Sequence, residues 1–248
     1  MNLLLVDEYR DHYEFGGSDP RTEKILRINS SEICIGVVNG PRGIGCVDRV
    51  DGSGVLIRDI SWEKEPPLAS GISLWVGLPR PADLRRILVS ASSLVVREIV
   101  VVQLDQTPPG YAQSDVLSKE SVQEHMIAGL EQGFHTILPR FSFFESLERA
   151  EETLNPLVSK FVLDPYLGTA LLGESEDDRG SERVLFIGSE RGLSKREQEM
   201  VVRSGWIPRH LGPAILRTET AVTAAIALVH RTTGFSGSAE RSVIRVSR

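Results

Sequence analysis

Between residues 71 and 229, short apolar segments alternate with longer amphipathic ones, and this alternation limits the possible folds more than any other feature. Four nearly continuous apolar runs have the length and composition of buried parallel strands: "ISLWVGL", "REIVVVQL", "KFVLDP" and "RVLFIG". Between them, "RPADLRRILVSASSL" and "SKESVQEHMIAGLEQG" have apolar residues at helical spacing. "TILPRF" predicts a further short strand and "FFESLERAEETL" a further helix. Strands alternating with helices predict an α/β fold, with a mostly parallel sheet covered by helices on both faces.

Residues 1 to about 65 have a different rhythm. "EICIGVVNG", "GIGCVDRV" and "GVLIRDI" alternate apolar and polar positions and are separated by glycine-containing turns. This pattern is typical of a small β-barrel or β-sandwich. Pro66 and Pro67 can continue neither a strand nor a helix, so we place a boundary there and predict domains over 1–68 and 69–248.

Composition excludes several classes of protein. No apolar run approaches the roughly 20 residues that cross a bilayer, and "MNLLLVDEYRD" lacks the basic start of a signal peptide, so we expect a cytoplasmic protein without a membrane segment. Cys34 and Cys46 could pair in principle, but free thiols are the simpler expectation. The histidines are scattered singly, which predicts no metal site. A net charge of -6 argues against an indiscriminate polyanion binder and leaves room for a local basic patch.

The stretch "IGSERGLSKREQ" places a glycine loop directly after a predicted buried strand. Ser194 and Glu197 fit the S-x-x-E capping box, so a helix is expected to begin near residue 195. The loop therefore lies at the carboxyl end of a strand, where open α/β sheets bind ligands. It is neither a Walker loop nor a G-x-G-x-x-G dinucleotide loop, and Glu190 argues against phosphate binding. The residues alone leave a structural turn and a ligand site open.

A second segment, "HLGPAILRTETAVTAAIALVHRTTG", combines a tight turn with a buried helix. Gly212 precedes Pro213, which we expect to be the first residue of the helix. Arg217 and Glu219 lie in the first turns of this otherwise apolar segment. Charges at the start of a buried helix are costly unless they are paired or functional. An Arg–Glu structural pair, a dimer contact and a functional site all remain open.

The stretch "FIGSERGLSKREQEMVVRSGWIPRHLGPAILRTETAVTAAIAL" resembles the carboxyl-terminal signature of the RsmE-type ribosomal RNA uridine-N3 methyltransferases, which belong to the SPOUT superfamily. That signature joins a Gly-Pro-Glu-Gly-Gly-type loop to an L-G-x-x-I-L-R-x-E-T-A helix start. Ser189 and Arg191 stand where the family has its proline and second glycine. "EKILRI" and the glycine-punctuated strands resemble the family's amino-terminal PUA-like barrel, so the resemblance covers nearly the whole chain.

The resemblance implies a SPOUT-type trefoil-knotted parallel sheet covered by helices, preceded by a small PUA-like β-barrel that binds RNA. It also implies a homodimer, and a bent S-adenosylmethionine held by the loops after three strands. A neutral adenosine needs close backbone approach, which glycines permit. The implied cofactor-binding residues are Leu163, Gly188, Ser189, Glu190, Gly192, Leu211, Gly212, Ile215 and Leu216.

The implied reaction is methylation of a uridine N3 in small-subunit ribosomal RNA, either naked or in a small-subunit particle. The N3 proton must leave, so a base or a group that stabilises the developing anion would help. Arg217 is the candidate for orienting or stabilising the uracil, and Glu219 either pairs with it or takes part in proton removal. The alternative is that both residues only brace the fold. His135 and His210 are alternative bases.

RNA affinity needs lysine and arginine side chains that face phosphates. The candidate cations lie around one predicted helix start and in the amino-terminal domain: Arg80, Arg85, Arg86, Arg21, Lys24 and Arg27. Two other functions remain open. One is a SPOUT enzyme that methylates a ribose 2'-hydroxyl, which product analysis would identify. The other is a non-catalytic RNA-binding protein that keeps the knot, which would bind the cofactor without transferring a methyl group.

Overall fold

A computed structural model describes residues 3–28, 30–50, 54–174 and 182–233 and divides the chain into two compact units. Among the described residues, the first unit contains those up to Leu68 together with Leu130–Leu138, and the second contains Ala69–Gly129 and the residues from Pro139 to Thr233. The sequence-based division left 130–138 in the second domain. In the structure, Thr136 donates a hydrogen bond to the Gly40 carbonyl at 2.6 Å, so this segment completes the first unit.

The first unit is built on a five-stranded, mostly antiparallel sheet. Its strand order is β1-β3-β4-β5-β2, in which only β1 and β3 run parallel. The result is a curled half-barrel, whereas the sequence predicted a barrel or sandwich. The helix α1 was not predicted, because only Thr22 and Ile25 of its nine residues are buried. The elements are β1 Leu4–Val6, β2 Tyr13–Phe15, α1 Pro20–Ile28, β3 Glu32–Val37, β4 Arg42–Val50 and β5 Gly54–Trp62.

The second unit is an α/β domain around six parallel strands in the order β11-β9-β10-β6-β7-β8, which confirms the predicted parallel sheet. The last residues of α3 fall in the first unit. The elements are β6 Ile72–Gly77, α2 Pro81–Ser93, β7 Glu98–Val102, α3 Lys119–Gly133, β8 Arg140–Phe144, α4 Leu147–Glu151, β9 Ser159–Leu163, β10 Arg183–Ile187, α5 Lys195–Arg203, β11 Ile207–Arg209 and α6 Thr218–Thr233.

Continuous apolar strands are possible here because helices cover both faces of this sheet. On one face, Trp75 and Phe186 pack with Trp206, with ring centroids 5.5–6.3 Å apart. Residues of α4 and α5 complete that cluster. Leu84 and Ile87 of α2 are fully buried, α2 packs against α6, and α6 packs against β10.

Three predicted boundaries are wrong. The helix expected at Pro213 begins at Thr218, because Gly212 adopts φ +113 and residues 211–217 form a loop. The strand expected in "TILPRF" lies at Arg140–Phe144, and the helix expected in "FFESLERAEETL" is confined to Leu147–Glu151. Pairing with β7 draws the two phenylalanines into the strand, so helix α4 starts only after Ser146 caps it.

Other features concern cysteines, membranes and metals. Cys34 and Cys46 are free thiols, and burial raises the pKa of Cys34. Within the described ranges, no helix is long and apolar enough to cross a membrane. The same residues contain no cluster of histidine, cysteine and acidic side chains that could hold a metal ion.

Candidate functional site

The parallel register brings three chain segments to one edge of the second unit's sheet. Ile187 pairs with Val76 and Leu163, and Leu163 pairs with Arg209, so these strands end level with one another. The segments that follow β9, β10 and β11 enclose a cavity of about 510 Å³, within the range of roughly 300–1,000 Å³ that is usual for small-molecule sites.

All nine residues implied to bind the cofactor line this cavity, and so do Arg217 and Glu219. The structure therefore brings together side chains that are up to 56 positions apart, from Leu163 to Glu219. Their roles as ligand contacts remain predictions. Arg80 and Arg191 also line the cavity.

The loop after β9 is held by a buried carboxylate. Asp164 accepts hydrogen bonds at Oδ1 from the amides of Tyr166 at 2.8 Å and Leu167 at 3.0 Å. A Cβ on Gly168 would lie 2.4 Å from the Arg209 carbonyl carbon, so the loop packs directly on the segment after β11. The sequence singled out Leu163 at this loop but not Gly168, whose partner lies 41 positions away.

The loop after β10 is a closed turn. The Gly192 amide donates to the Ser189 carbonyl at 2.9 Å, and a Cβ on Gly188 would lie 3.3 Å from the Gly192 Cα. A Cβ on Gly77 would lie 2.6 Å from the Ser189 nitrogen, so this turn rests against the end of β6. Ser189 is buried, and its hydroxyl has no hydrogen-bond partner among the described residues. A polar ligand atom could satisfy that hydroxyl.

The two histidines proposed as alternative bases have structural contacts. His210 lines the cavity, and its Nδ1 accepts a hydrogen bond from the Gly212 amide at 3.1 Å. This hydrogen bond occupies Nδ1, and a role for His210 as a base remains a prediction. His135 lies in the first unit, where its ring contacts the Leu68 carbonyl and the Ile137 amide. Burial lowers its pKa, and it does not line the cavity.

Arg217 and Glu219 lie at the start of α6. The Arg217 carbonyl accepts the Ala221 amide at 2.8 Å, while its side chain is exposed. Neither charged group makes an ion pair or a side-chain hydrogen bond with any residue in the described ranges, so the structural Arg–Glu pair is not formed there. Two charges in the wall of a cavity that no described residue pairs with are available to a ligand.

Five of the six candidate RNA-binding cations are paired with carboxylates. Arg21 contacts Asp19 at 2.7 Å, Arg27 contacts Glu23 at 2.5 Å, and Lys24 contacts Glu131. Arg80 and Arg86 both contact Asp83, at 3.0 and 2.9 Å. Arg85 makes no ion pair with the part of the chain that is described. Of these pairs, only Arg27–Glu23 is exposed at both side chains; such a pair contributes about 0–1 kcal/mol, so an RNA phosphate could replace Glu23. Asp83 is buried, so releasing Arg80 and Arg86 from it would cost more. RNA contact by all six residues remains a prediction.

The capping box at α5 is confirmed and has a second role. Glu197 is 1% exposed; its Oε2 accepts the Ser194 amide at 2.7 Å, and its Oε1 accepts the Asp105 amide at 2.8 Å. Asp105 lies in the loop after β7 and contacts Arg196 at 2.6 Å. Side-chain hydrogen bonds from Arg196 and from Ser194 to the Asp105 carboxylate hold the pKa of Asp105 below its usual value. Sequence spacing predicts the bond to Ser194, but no local signal predicts a bond across 92 positions.

We expect Glu197→Ala to lower the free energy of unfolding by about 1–3 kcal/mol, because it removes a buried helix-capping carboxylate and with it the acceptor of the Asp105 amide. Urea denaturation followed by circular dichroism measures the change. The matched control is Glu199→Ala on the same helix, whose carboxylate is exposed and paired only with Arg203. Its expected effect is below about 0.5 kcal/mol. Equal losses in both variants would contradict a tethering role for Glu197.

Comparison with known proteins gives concordant matches. Residues 65–230 match the family model described as an RNA methyltransferase domain. The chain is 30% identical over 219 residues to a ribosomal RNA small subunit methyltransferase E from Treponema pallidum, covering 84% of this chain and 80% of that protein. It is 22% identical over 236 residues to ribosomal RNA small subunit methyltransferase E 1 from Borreliella burgdorferi, covering 91% and 95%.

The fold is also similar to a solved structure. The crystal structure of a ribosomal RNA small subunit methyltransferase E from Neisseria gonorrhoeae, bound to S-adenosyl methionine, superposes with a TM-score of 0.76 at 19% identity. The match covers 94% of this chain and 98% of that one. Both units of the present chain therefore have counterparts in a known fold.

Proposed function

Because the chain belongs to the RsmE-type family of RNA methyltransferases, we propose that it transfers a methyl group from S-adenosylmethionine to N3 of a uridine in small-subunit ribosomal RNA. One observation carries this proposal. Three loops shaped by glycines meet at the carboxyl edge of a parallel sheet, around one cavity whose wall contains Arg217 and Glu219, neither of which has a charged partner among the described residues. The names of the relatives support the RNA substrate.

The proposal includes the finer architecture. The segments after β9, β10 and β11 form the trefoil knot of the SPOUT superfamily, and the strand order β11-β9-β10-β6, in which β9 lies between β10 and β11, is compatible with it. The first unit is the PUA-like domain that contacts RNA. The protein works as a homodimer in the cytoplasm, and sedimentation equilibrium of the purified protein would test the dimer.

The residues around the cavity fit a nucleoside cofactor. Glycines at 188, 192 and 212 let the backbone approach the ligand, and the Ser189 hydroxyl offers a hydrogen bond that no described residue uses. Leu163, Leu211, Ile215 and Leu216 add apolar surface. When bound, S-adenosylmethionine would supply an electrophilic methyl group for transfer to the uridine N3.

The chain's own residues must position the uracil and remove its N3 proton. The Arg217 guanidinium donates hydrogen bonds to a uracil carbonyl oxygen and stabilises the negative charge that develops as N3 loses its proton. Glu219, two positions further along the same wall, accepts that proton. The protein acts mainly by orientation, because methyl transfer requires an in-line approach more than a strong base.

The decisive experiment identifies the methylated nucleoside. Purified protein is incubated with methyl-labelled S-adenosylmethionine and small-subunit ribosomal RNA, supplied both naked and as small subunits. The RNA is then digested, and its nucleosides are compared with 3-methyluridine and 2'-O-methyluridine by mass spectrometry. We expect 3-methyluridine. Label in 2'-O-methyluridine would contradict the target atom, and cofactor binding without any transfer would indicate a non-catalytic RNA-binding protein.

A further inference from the structure

Arg191 is an exposed cation in the turn after β10, at the cavity that we assign to the cofactor. We propose that Arg191 binds a backbone phosphate of the RNA beside the target nucleotide and so helps to position the substrate. The inference rests on the proposed function and adds a residue of this chain to it.

The charge balance of the turn supports this proposal. Arg191 follows Glu190, but the Glu190 carboxylate is paired with Arg80: its Oε1 accepts the Arg80 amide at 3.1 Å and lies 3.1 Å from the Arg80 Nε, which donates to Asp83. Arg191 itself makes no ion pair with any carboxylate in the described ranges. The acidic neighbour is therefore neutralised by another residue, and the charge of Arg191 is left available.

The position of Arg191 in the turn also supports the proposal. The hydrogen bond from the Gly192 amide to the Ser189 carbonyl closes the turn, and Ser189 is buried while Arg191 is exposed. The backbone beneath Arg191 is fixed by the close approach of Gly188 to Gly192. A turn held in this way presents a cation at the cavity without a large ordering cost for the backbone.

The chemistry of the guanidinium group also favours a phosphate as its partner. A guanidinium can donate two parallel hydrogen bonds to phosphate oxygens. A protein of net charge -6 does not attract RNA over its whole surface, so local cations at the reacting site have a large share in binding. The cavity wall contains three arginines, of which Arg80 is paired and Arg191 and Arg217 are not. With Arg217 assigned to the uracil, Arg191 remains for the phosphate.

The carboxylate of the cofactor's amino-acid group is the other anion that Arg191 could meet. Arg191 is exposed, whereas Ser189 and Leu193 in the same loop are buried, and this favours the RNA, which must approach from solvent. Both anions share the chemistry that a guanidinium recognises, so the experiment measures each of them separately.

The test compares Arg191→Gln with Arg203→Gln, an exposed arginine at the other end of α5 that does not line the cavity. Binding of a fluorescein-labelled 12-nucleotide oligouridine is followed by fluorescence anisotropy at several KCl concentrations, and S-adenosylhomocysteine is titrated calorimetrically. For Arg191→Gln we expect RNA Kd to rise about fivefold, and the slope of log K against log salt to become shallower by about 0.7. Arg203→Gln and the cofactor Kd of both variants should match the wild type.

Methyl transfer to small-subunit ribosomal RNA supplies a second readout. A residue that only binds the RNA backbone should raise KM for RNA and leave kcat unchanged at saturating RNA. Unchanged RNA affinity and salt slope in Arg191→Gln would overturn the proposal. A weakened cofactor affinity would also overturn it, by assigning Arg191 to the carboxylate.

These outcomes differ from a failure of the proposed function. If Arg191→Gln makes the salt slope of RNA binding shallower but the wild type transfers no methyl group, the proposed catalysis is contradicted. The phosphate contact of Arg191 is then kept. A wild-type protein that binds neither oligouridine nor S-adenosylhomocysteine would overturn both.

Discussion

Gly212→Val is expected to raise the Kd for S-adenosylmethionine by roughly ten- to hundredfold, which corresponds to about 1–3 kcal/mol of backbone strain. Gly212 has φ +113, far from the left-handed helical region near +57 that other residues occasionally adopt. A Cβ at this position would meet no atom within 4 Å, so the expected effect comes from the backbone conformation and not from a steric clash.

The strain acts on binding because Gly212 shapes the wall of the cavity. Its amide donates to the His210 ring, and the adjoining residues Leu211, Ile215 and Leu216 line the cavity. A valine would relax the loop toward an ordinary φ and displace these groups. Binding of the cofactor would then have to restore the strained conformation, and the free energy needed would appear as lost affinity.

Isothermal titration calorimetry measures the Kd, and thermal unfolding shows whether the variant remains folded. Gly110→Val is the matched control, because Gly110 also has open space around its Cα, has no positive φ and does not line the cavity. It should bind the cofactor as the wild type does. A folded Gly212→Val variant with unchanged cofactor affinity would remove the loop after β11 from the proposed site.

The features that the sequence predicted well are those encoded locally. Apolar runs such as "ISLWVGL" became buried strands because both faces of a parallel sheet are covered, and Ser194 and Glu197 formed the expected cap. The residues that line the cavity were located by the resemblance to a known family. The glycine loop alone left a structural turn open.

The features that the sequence did not predict depend on contacts between distant positions. The three-residue strand β11 contains Pro208 and is defined by pairing with β9, and segment 130–138 belongs to the first unit through contacts such as that of Thr136 with Gly40. The start of α6 was misplaced because a Gly-Pro pair resembles a helix start. Here Gly212 and Pro213 instead lead into a loop that forms part of the cavity wall.

The pairing of charges likewise depends on the fold. Arg80, Arg86 and Asp83 lie within one helical segment, so their pairing follows from local spacing, but the contact of Glu190 with Arg80 spans 110 positions. Because of that contact, Glu190 has a cationic partner, whereas its neighbour Arg191 has no carboxylate partner among the described residues. The charge pattern of the sequence does not show this difference. The three-dimensional structure therefore separates cations that are already paired from those that a substrate can use.

Arg217→Ala is expected to lower kcat by roughly 10²- to 10³-fold, the usual effect of removing a group that stabilises charge developing in a transition state. The side chain of Arg217 is exposed in the cavity wall and makes no ion pair with the described residues, so it is free to meet the substrate. Because the Arg217 side chain makes no ion pair or hydrogen bond with the described residues, the free energy of unfolding should change by less than about 0.5 kcal/mol. The Kd for S-adenosylmethionine should remain close to that of the wild type.

Single-turnover methylation of small-subunit ribosomal RNA at saturating cofactor measures the chemical step directly. Arg231→Ala is the matched control, since Arg231 is exposed near the other end of the same helix and does not line the cavity. It should leave both the rate and the stability unchanged. If Arg217→Ala instead lowered stability and left kcat intact, Arg217 would be a brace for the loop after β11. The charge that develops on the uracil would then have to be stabilised by another group in the cavity wall.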